Sequence, residues 1–350
     1  MGGGSWNIGT YDTSVSAKKA ANAPTFGHDY DVRTGASNSV HELLDPKVLA
    51  GPTSPHAGKV MREVMITDEH PNPTPIGIVL DVTGSNYDAA VKTHGALPKL
   101  FSLLQVKGYV DDPQINVSAT GDANSDRFPV QFGQFESDNR IDAQLEAMIL
   151  EGAGGGQDHE TYELLAYLHA FHTYLEPAQK QGRKGYLFFI GDEKPYDKVK
   201  RSQVEDLIGV KLEKDISTED IFKKLKEQYN VFFLFQEQGS YLPDEILPSW
   251  RKLLGERAIS LSDPDAVCDV IAGLVGVLEK KVTIDDVDKD LKELGSSSSA
   301  RKAVSTALEV VDHSTSVEPN RPSKGGMVAK TSGSLPDLGV DLSRPRSARL

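Results

Sequence analysis

The chain has 350 residues, with 38 basic and 51 acidic side chains and a net charge of −13. That balance repels a phosphate backbone instead of neutralising it, which argues against nucleic acid as a partner. A hydrophobic content of 38% excludes wholesale disorder, and a single cysteine, Cys268, excludes a disulfide framework or a Cys-rich zinc site within one chain.

No apolar stretch approaches the roughly 18 residues of a membrane span. The amino terminus, MGGGSWNIGTYD, has neither the basic nor the apolar region of an export signal. The expectation is a cytoplasmic protein with no membrane partner.

Residues 1–70 are rich in Gly, Ala, Ser, Asn and Pro and read as an extended N-terminal arm, with a small helix over 40–49 and an edge strand around 60–66. From Ile76 the pattern changes to apolar runs alternating with helical periods. Strands are expected at 76–81, 114–120, 127–135, 185–192, 231–236 and 258–263. YLFFI and VFFLF show no polar alternation, which a strand sustains when both its faces are buried under helices.

Between these runs lie four apolar stripes. The first passes through Tyr87, Ala90, Val91, His94, Leu97, Phe101 and Leu104, with a kink or a fresh helix start near Gly95 and Pro98. The second comprises Leu164, Leu165, Leu168, Phe171 and Leu175; the third, Ile221, Leu225 and Tyr229, is opened by a capping sequence at 217–220. The fourth runs from Ala266 to Leu278. GDANSDR is too short for a helical crossover, so the second and third strands should be antiparallel. The expected fold class is α/β: an open, doubly wound, mostly parallel six-stranded sheet with one antiparallel strand, spanning residues 71–285.

Residues 286–350 read as a linker, one further short helix at 300–311, and a basic tail. The last thirty residues carry six basic and two acidic groups, leaving −17 on the rest. The tail reads as a mobile segment; folding back on the acidic body and serving as a docking arm are the alternatives.

In an open α/β sheet the ligand crevice lies beyond the carboxyl ends of the strands. Three loops qualify. Asp81-Val82-Thr83-Gly84-Ser85 follows IGIVL and aims one carboxylate and two hydroxyls at a common point. The run Gly152 to Gly156 is followed by Gln157, Asp158, His159 and Glu160. Gly191-Asp192-Glu193 closes YLFFI. All of these are hard oxygen donors, as Mg²⁺ requires; the bland reading of the first and second loops is helix capping. The glycine run is not a nucleotide loop, because it lacks the Lys-Ser/Thr of a P-loop and fails the dinucleotide spacing. His159, His169 and His172 do not form HExxH and read as helix-packing residues, so zinc is disfavoured.

These three loops, DVTGS, GGGQDHE and FIGDE, together with the lead-in EHPNPTP, resemble the von Willebrand factor type A (vWA) domain with its metal-ion-dependent adhesion site, and are most similar to bacterial intracellular members with a DxTGS loop. The resemblance covers roughly 76–280. It implies a Rossmann-like fold and a metal site made of Asp81, Thr83, Ser85, Asp158 and Asp192, with Thr161 as the substitute for Asp158. Mg²⁺ is the implied ion, with Mn²⁺ or Ca²⁺ as alternatives. The implied function is non-enzymatic: a protein-binding adaptor whose partner supplies an acidic side chain to the metal, working with larger assemblies including AAA+ ATPases.

A rival resemblance is to haloacid dehalogenase-like phosphotransferases. There Asp81 would be the nucleophile, and Asp192 and Asp197 would hold Mg²⁺. The second aspartate of that family's first loop is absent. A third reading is a structural or virion-associated protein with a vestigial site.

Overall fold

The computed structural model describes residues 4–86, 88–152, 158–237, 241–312 and 340–345, with the side chains of residues 85, 311, 312 and 340–345 outside the description. Six strands form the main sheet: β1 (Thr74–Asp81), β2 (Pro113–Thr120), β3 (Val130–Phe132), β4 (Gly185–Gly191), β5 (Tyr229–Gln236) and β6 (Ala258–Leu261). Their spatial order is β6-β5-β4-β1-β2-β3. β3 runs antiparallel to β2, and all the other pairings are parallel. This is the doubly wound class expected from the sequence, reversed strand included.

The unbroken apolar runs have the cause inferred for them. Along β4, Tyr186, Phe188 and Ile190 point into one core, while Leu187 and Phe189 point into the other. Along β5, Phe232 and Leu234 alternate in the same way with Val231, Phe233 and Phe235. Each strand therefore needs apolar side chains on both faces.

One face is covered by α3 (Asp88–Phe101), α4 (Arg140–Glu146) and α8 (Val267–Leu278); the other by α5 (Tyr162–Phe171), α6 (Thr218–Leu225) and α7 (Pro243–Leu254). The Ser217 hydroxyl caps α6 by accepting from the Asp220 amide at 3.1 Å. Pro98 lies inside α3, which continues into a wider π turn at Ser102–Val106 in place of a break. Among the described residues no helix is long and apolar enough to cross a membrane.

The two ends of the chain differ from expectation. Residues 40–49 are turns, not a helix. Two helices precede them, α1 (Ile8–Ala20) and α2 (Gly27–Arg33), and Trp6, Tyr11 and Phe26 are buried in the main core. The indole of Trp6 stacks on Phe101 at 4.7 Å and donates to Asp142 Oδ1 at 2.8 Å. A few aromatic anchors, without an apolar stripe, hold this segment down. At the other end α9 (Ile284–Glu293) and α10 (Ser298–Asp312) bury Val287, Leu291, Val304 and Leu308 in the same core, so the Ser-rich linker shrinks to a short turn. Within the tail, Val340–Pro345 forms a strand antiparallel to Val210–Leu212. The edge strand expected near 60–66 is Arg62–Val64, paired in parallel with Thr173–Leu175.

His169 and His172 are packing residues, both fully buried. His172 bridges the Val60 carbonyl and the Tyr167 hydroxyl; His169 meets Tyr229 and fills the space left by Gly77, where a Cβ would lie 3.2 Å from its Cε1. Burial, reinforced by the Arg62 charge, pushes His169 down to about 3. Burial also takes His172 down to about 4. Both are therefore neutral when folded, and each titrates near 6.5 when unfolded. Their contribution is fully present above about 6.5 and is lost as pH falls toward the folded values. His169→Asn cannot take up that proton. Its stability deficit in urea melts should shrink by up to about 1.4 kcal/mol per pH unit below 6.5, and a deficit constant between pH 7.5 and 4.5 would refute the assignment.

Candidate metal centre

Asp81 closes β1 with no solvent exposure. Its Oδ1 accepts from the Thr83 amide at 2.9 Å and the Thr83 hydroxyl at 2.6 Å, so the turn after the strand folds back on its own carboxylate. Its Oδ2 accepts from the Tyr162 hydroxyl at 2.8 Å, across the sheet from the start of α5. Gly191, at the end of neighbouring β4, makes that reach feasible: a Cβ there would lie 1.9 Å from the Tyr162 hydroxyl oxygen.

Asp192 follows Gly191 and is equally buried. The adjacency of β1 and β4 brings it to Asp81, and the Asn86 side-chain amide donates to both, to Asp81 Oδ2 at 3.4 Å and to Asp192 Oδ1. Two of the expected residues on distant loops thus converge on one amide group, with Thr83 beside them. Ser85 lies in the turn Gly84–Asn86, and its side chain is outside the described residues.

The second loop departs from expectation. Residues His159–Glu160 pair in parallel with Lys194–Pro195. Asp158 sits at the rim, about one-third exposed, with its carboxylate engaged by Lys194 Nζ and by His159 Nδ1 at 2.7 Å. The Lys194 hydrogen bond, more than any other cause, holds its carboxyl below the usual range. Thr161 is buried and donates its hydroxyl to the Gly121 carbonyl. The inward-facing acid of this loop is Glu160, 2% exposed, which lies against Glu193 and feels the charge of Asp81.

Charge is concentrated here without compensation. Burial pushes Asp81 up to about 6, against the pull of its Thr83 and Tyr162 donors and with the help of Asp192. Burial, with the charge of Asp81, raises both Glu160 and Glu193, while the hydrogen bond between the two raises Glu160 and lowers Glu193. Ionised, each would leave Oε2 buried without a donor among the described residues. Asp122, past the end of β2, adds a further buried acid, held by Asn124, Ser125 and the Tyr196 hydroxyl. Lys194, next to Glu193 in the chain, is committed to Asp158.

Among the described residues no three His, Cys, Asp or Glu groups form a ready-made metal cluster. The oxygen set is instead carboxylates and the Thr83 hydroxyl, with the Asn86 amide turning its N–H group toward the two aspartates. Oxygen donors with surplus negative charge and unpartnered buried carboxylate atoms fit a small hard cation. Asp197, which would hold Mg²⁺ with Asp192 in the phosphotransferase reading, lines a cavity with Tyr196, Ser217 and Thr218.

The loop leading into the glycine run is held from the amino terminus. Asp29 Oδ1 accepts from the Leu150 amide at 2.9 Å, and Arg33 donates to the Leu150 carbonyl. Two residues on, the Gly152 amide donates to the carbonyl of Val82 inside the first loop at 3.2 Å. Sequence reading missed Glu160, Glu193, Asn86 and Tyr162 as contributors. The first two lie in the quoted motifs, yet nothing in the spacing distinguishes an inward acid from its outward neighbour.

Fold and site together define an open α/β sheet carrying an acidic oxygen-donor cluster at its C-terminal rim. No family model matches the chain, and no curated protein matches it. Among solved structures it is similar to the pilus adhesin SpaC from Lactobacillus rhamnosus GG in its open conformation, at 11% identity and a TM-score of 0.41, over 62% of this chain and 30% of that one. It is also similar to proximal thread matrix protein 1 from the mussel byssus, at 12% identity and a TM-score of 0.37, over 59% of this chain and 46% of that one. A form of the mussel protein with a zinc-occupied MIDAS motif matches at 13% identity and a TM-score of 0.36. The chain thus spans less than half the length of each. At such low identity and overlap, the reading of the site rests on the chain's own residues.

The Gly191–Tyr162–Asp81 contact is testable by a cycle. Gly191→Ala should cost about 1–3 kcal/mol by overpacking, measured by urea unfolding, and the cost should shrink in a Tyr162→Phe background, where the crowding hydroxyl is gone. Equal costs in the two backgrounds would show that the hydroxyl does not occupy that space.

Proposed function

We propose that this chain is a vWA-type interaction module that binds a divalent cation, Mg²⁺ in the cell, at the C-terminal rim of its sheet and uses it to engage an acidic group on a protein partner. The observation that carries the reading is the convergence of buried Asp81 and Asp192 on one amide, with the Thr83 hydroxyl and Glu160 alongside. Asp81, Thr83, Ser85 and Asp192 keep the roles the sequence resemblance implies, and Glu160 takes the second-loop place in preference to Asp158. A carboxylate there would satisfy more of the metal's charge than a hydroxyl, favouring tight retention of the ion over strong capture of an incoming carboxylate.

The partner is a protein, within a larger assembly of the AAA+ kind, and the module is cytoplasmic and non-enzymatic in this reading. Against a nucleophilic Asp81 stands its geometry, since Thr83 and Tyr162 bind both its oxygens and it is fully buried.

The sign of the charge effect gives a sharp test. Without metal, Asp81→Asn relieves buried repulsion and should melt at or above the temperature of the parent in EDTA. With metal at a hundredfold excess over Kd the parent gains about 2.7 kcal/mol, and the variant should gain almost none. A parent unresponsive to Mg²⁺, Mn²⁺ and Ca²⁺ would end the proposal, and phosphatase turnover abolished in the variant would replace it with the enzyme reading.

Partner capture is checked separately. Proteins retained by the immobilised parent in Mg²⁺ should be released by EDTA and be absent from the Asp81→Asn column. Retention indifferent to both would place the interface elsewhere.

A further inference from the structure

At the opposite edge of the sheet the same topology assembles a second constellation. His70 lies in the turn that leads into β1, Asp112 immediately precedes β2, and Ser137 follows β3, whose antiparallel course returns the chain to this edge. The His70 turn is closed by two hydrogen bonds with Thr67, from the His70 amide to the hydroxyl and from the Thr67 amide to the His70 carbonyl, both at 3.0 Å. His70 Nδ1 lies 2.8 Å from Asp112 Oδ1, and His70 Nε2 lies 3.3 Å from Ser137 Oγ. The order of atoms is that of a nucleophile, its base and the base's orienting carboxylate, with the acid on Nδ1 and the hydroxyl on Nε2. Asp112 Oδ1 also accepts from the Gln114 side-chain amide at 3.2 Å, and Asp112 Oδ2 is buried with no hydrogen-bond partner among the described residues.

We propose that Ser137, His70 and Asp112 form an acyl-transfer centre, independent of the metal site, that hydrolyses short-chain carboxylic esters. The three residues border an open cavity of about 340 Å³, whose lining also includes Asn72 and Gln105. Ser137 Oγ attacks the ester carbonyl carbon while its proton passes to His70 Nε2, and the carbonyl electron pair moves onto oxygen. Collapse of the tetrahedral species expels the alcohol, which takes the proton from Nε2. Water then cleaves the acyl-serine by the same route, releasing the acid and returning the proton to Ser137.

The amino terminus guards this centre. In the structure Ser137 Oγ donates to the Gly4 carbonyl at 2.7 Å, so Gly4 competes with His70 for the hydroxyl proton, and Ser137 is only 2% exposed. Reaction requires Gly4 to yield that position, which makes the resting rate low.

The test uses the full-length protein in EDTA, so that the metal centre contributes nothing. A fluorophosphonate probe should label Ser137, identified by peptide mass spectrometry, and p-nitrophenyl butyrate hydrolysis should exceed that of Ser137→Ala at least tenfold. Asp112→Asn, folded by circular dichroism, should lose tenfold or more of the rate with KM little changed. Absence of label on Ser137, which needs no variant to establish, or hydrolysis equal in parent and Ser137→Ala, would show that the three residues merely tie Gly4 to the sheet.

Discussion

Four carboxyl groups, Asp81, Asp192, Glu160 and Glu193, are withdrawn from water at one rim of the sheet, and the adjoining Lys194 is already paired with Asp158. Withdrawing ionised groups from water is expensive unless an opposite charge or a proton joins them. The same surplus that raises Asp81, Glu160 and Glu193 would be relieved by a single divalent ion. In the proposed reading, instability without the ion and affinity for it would be two descriptions of one arrangement.

The fold produces this arrangement by adjacency. Placing β1 beside β4 brings Asp81 and Asp192 to the same end of two neighbouring strands, and the short ladder between His159–Glu160 and Lys194–Pro195 carries Glu160 to Glu193. Tyr162, at the start of α5, then spans the gap to Asp81 across a glycine that leaves it room. Two packed cores hold the strands rigid on both faces, so the site's oxygens are set by the sheet itself.

The main sheet was legible because its signal is local. An apolar run such as YLFFI declares a doubly covered strand, and GDANSDR declares a short antiparallel return. The first-loop Asp81 and Asp192 were legible through motif. What stayed hidden depends on tertiary pairing. Asp158 and Glu160 are two residues apart in one acidic turn, and the ladder to Lys194–Pro195 decides which faces inward. The first helix gives no sequence signal, since it buries one residue, Tyr11, and its polar face carries no stripe. The constellation of His70, Asp112 and Ser137 draws on three segments whose proximity only the strand order creates.

The grip of α2 on Leu150 bears on how the molecule is made. Trp6, Tyr11 and Phe26 are synthesised before the surfaces that bury them, around Phe101 and Ile141, and Ile141 and the Leu150 backbone that Asp29 and Arg33 grasp follow Phe26 by more than a hundred residues. Throughout that interval three aromatic rings are bare. The helix that braces this loop therefore waits for its target, and docks only once Leu150 has been made.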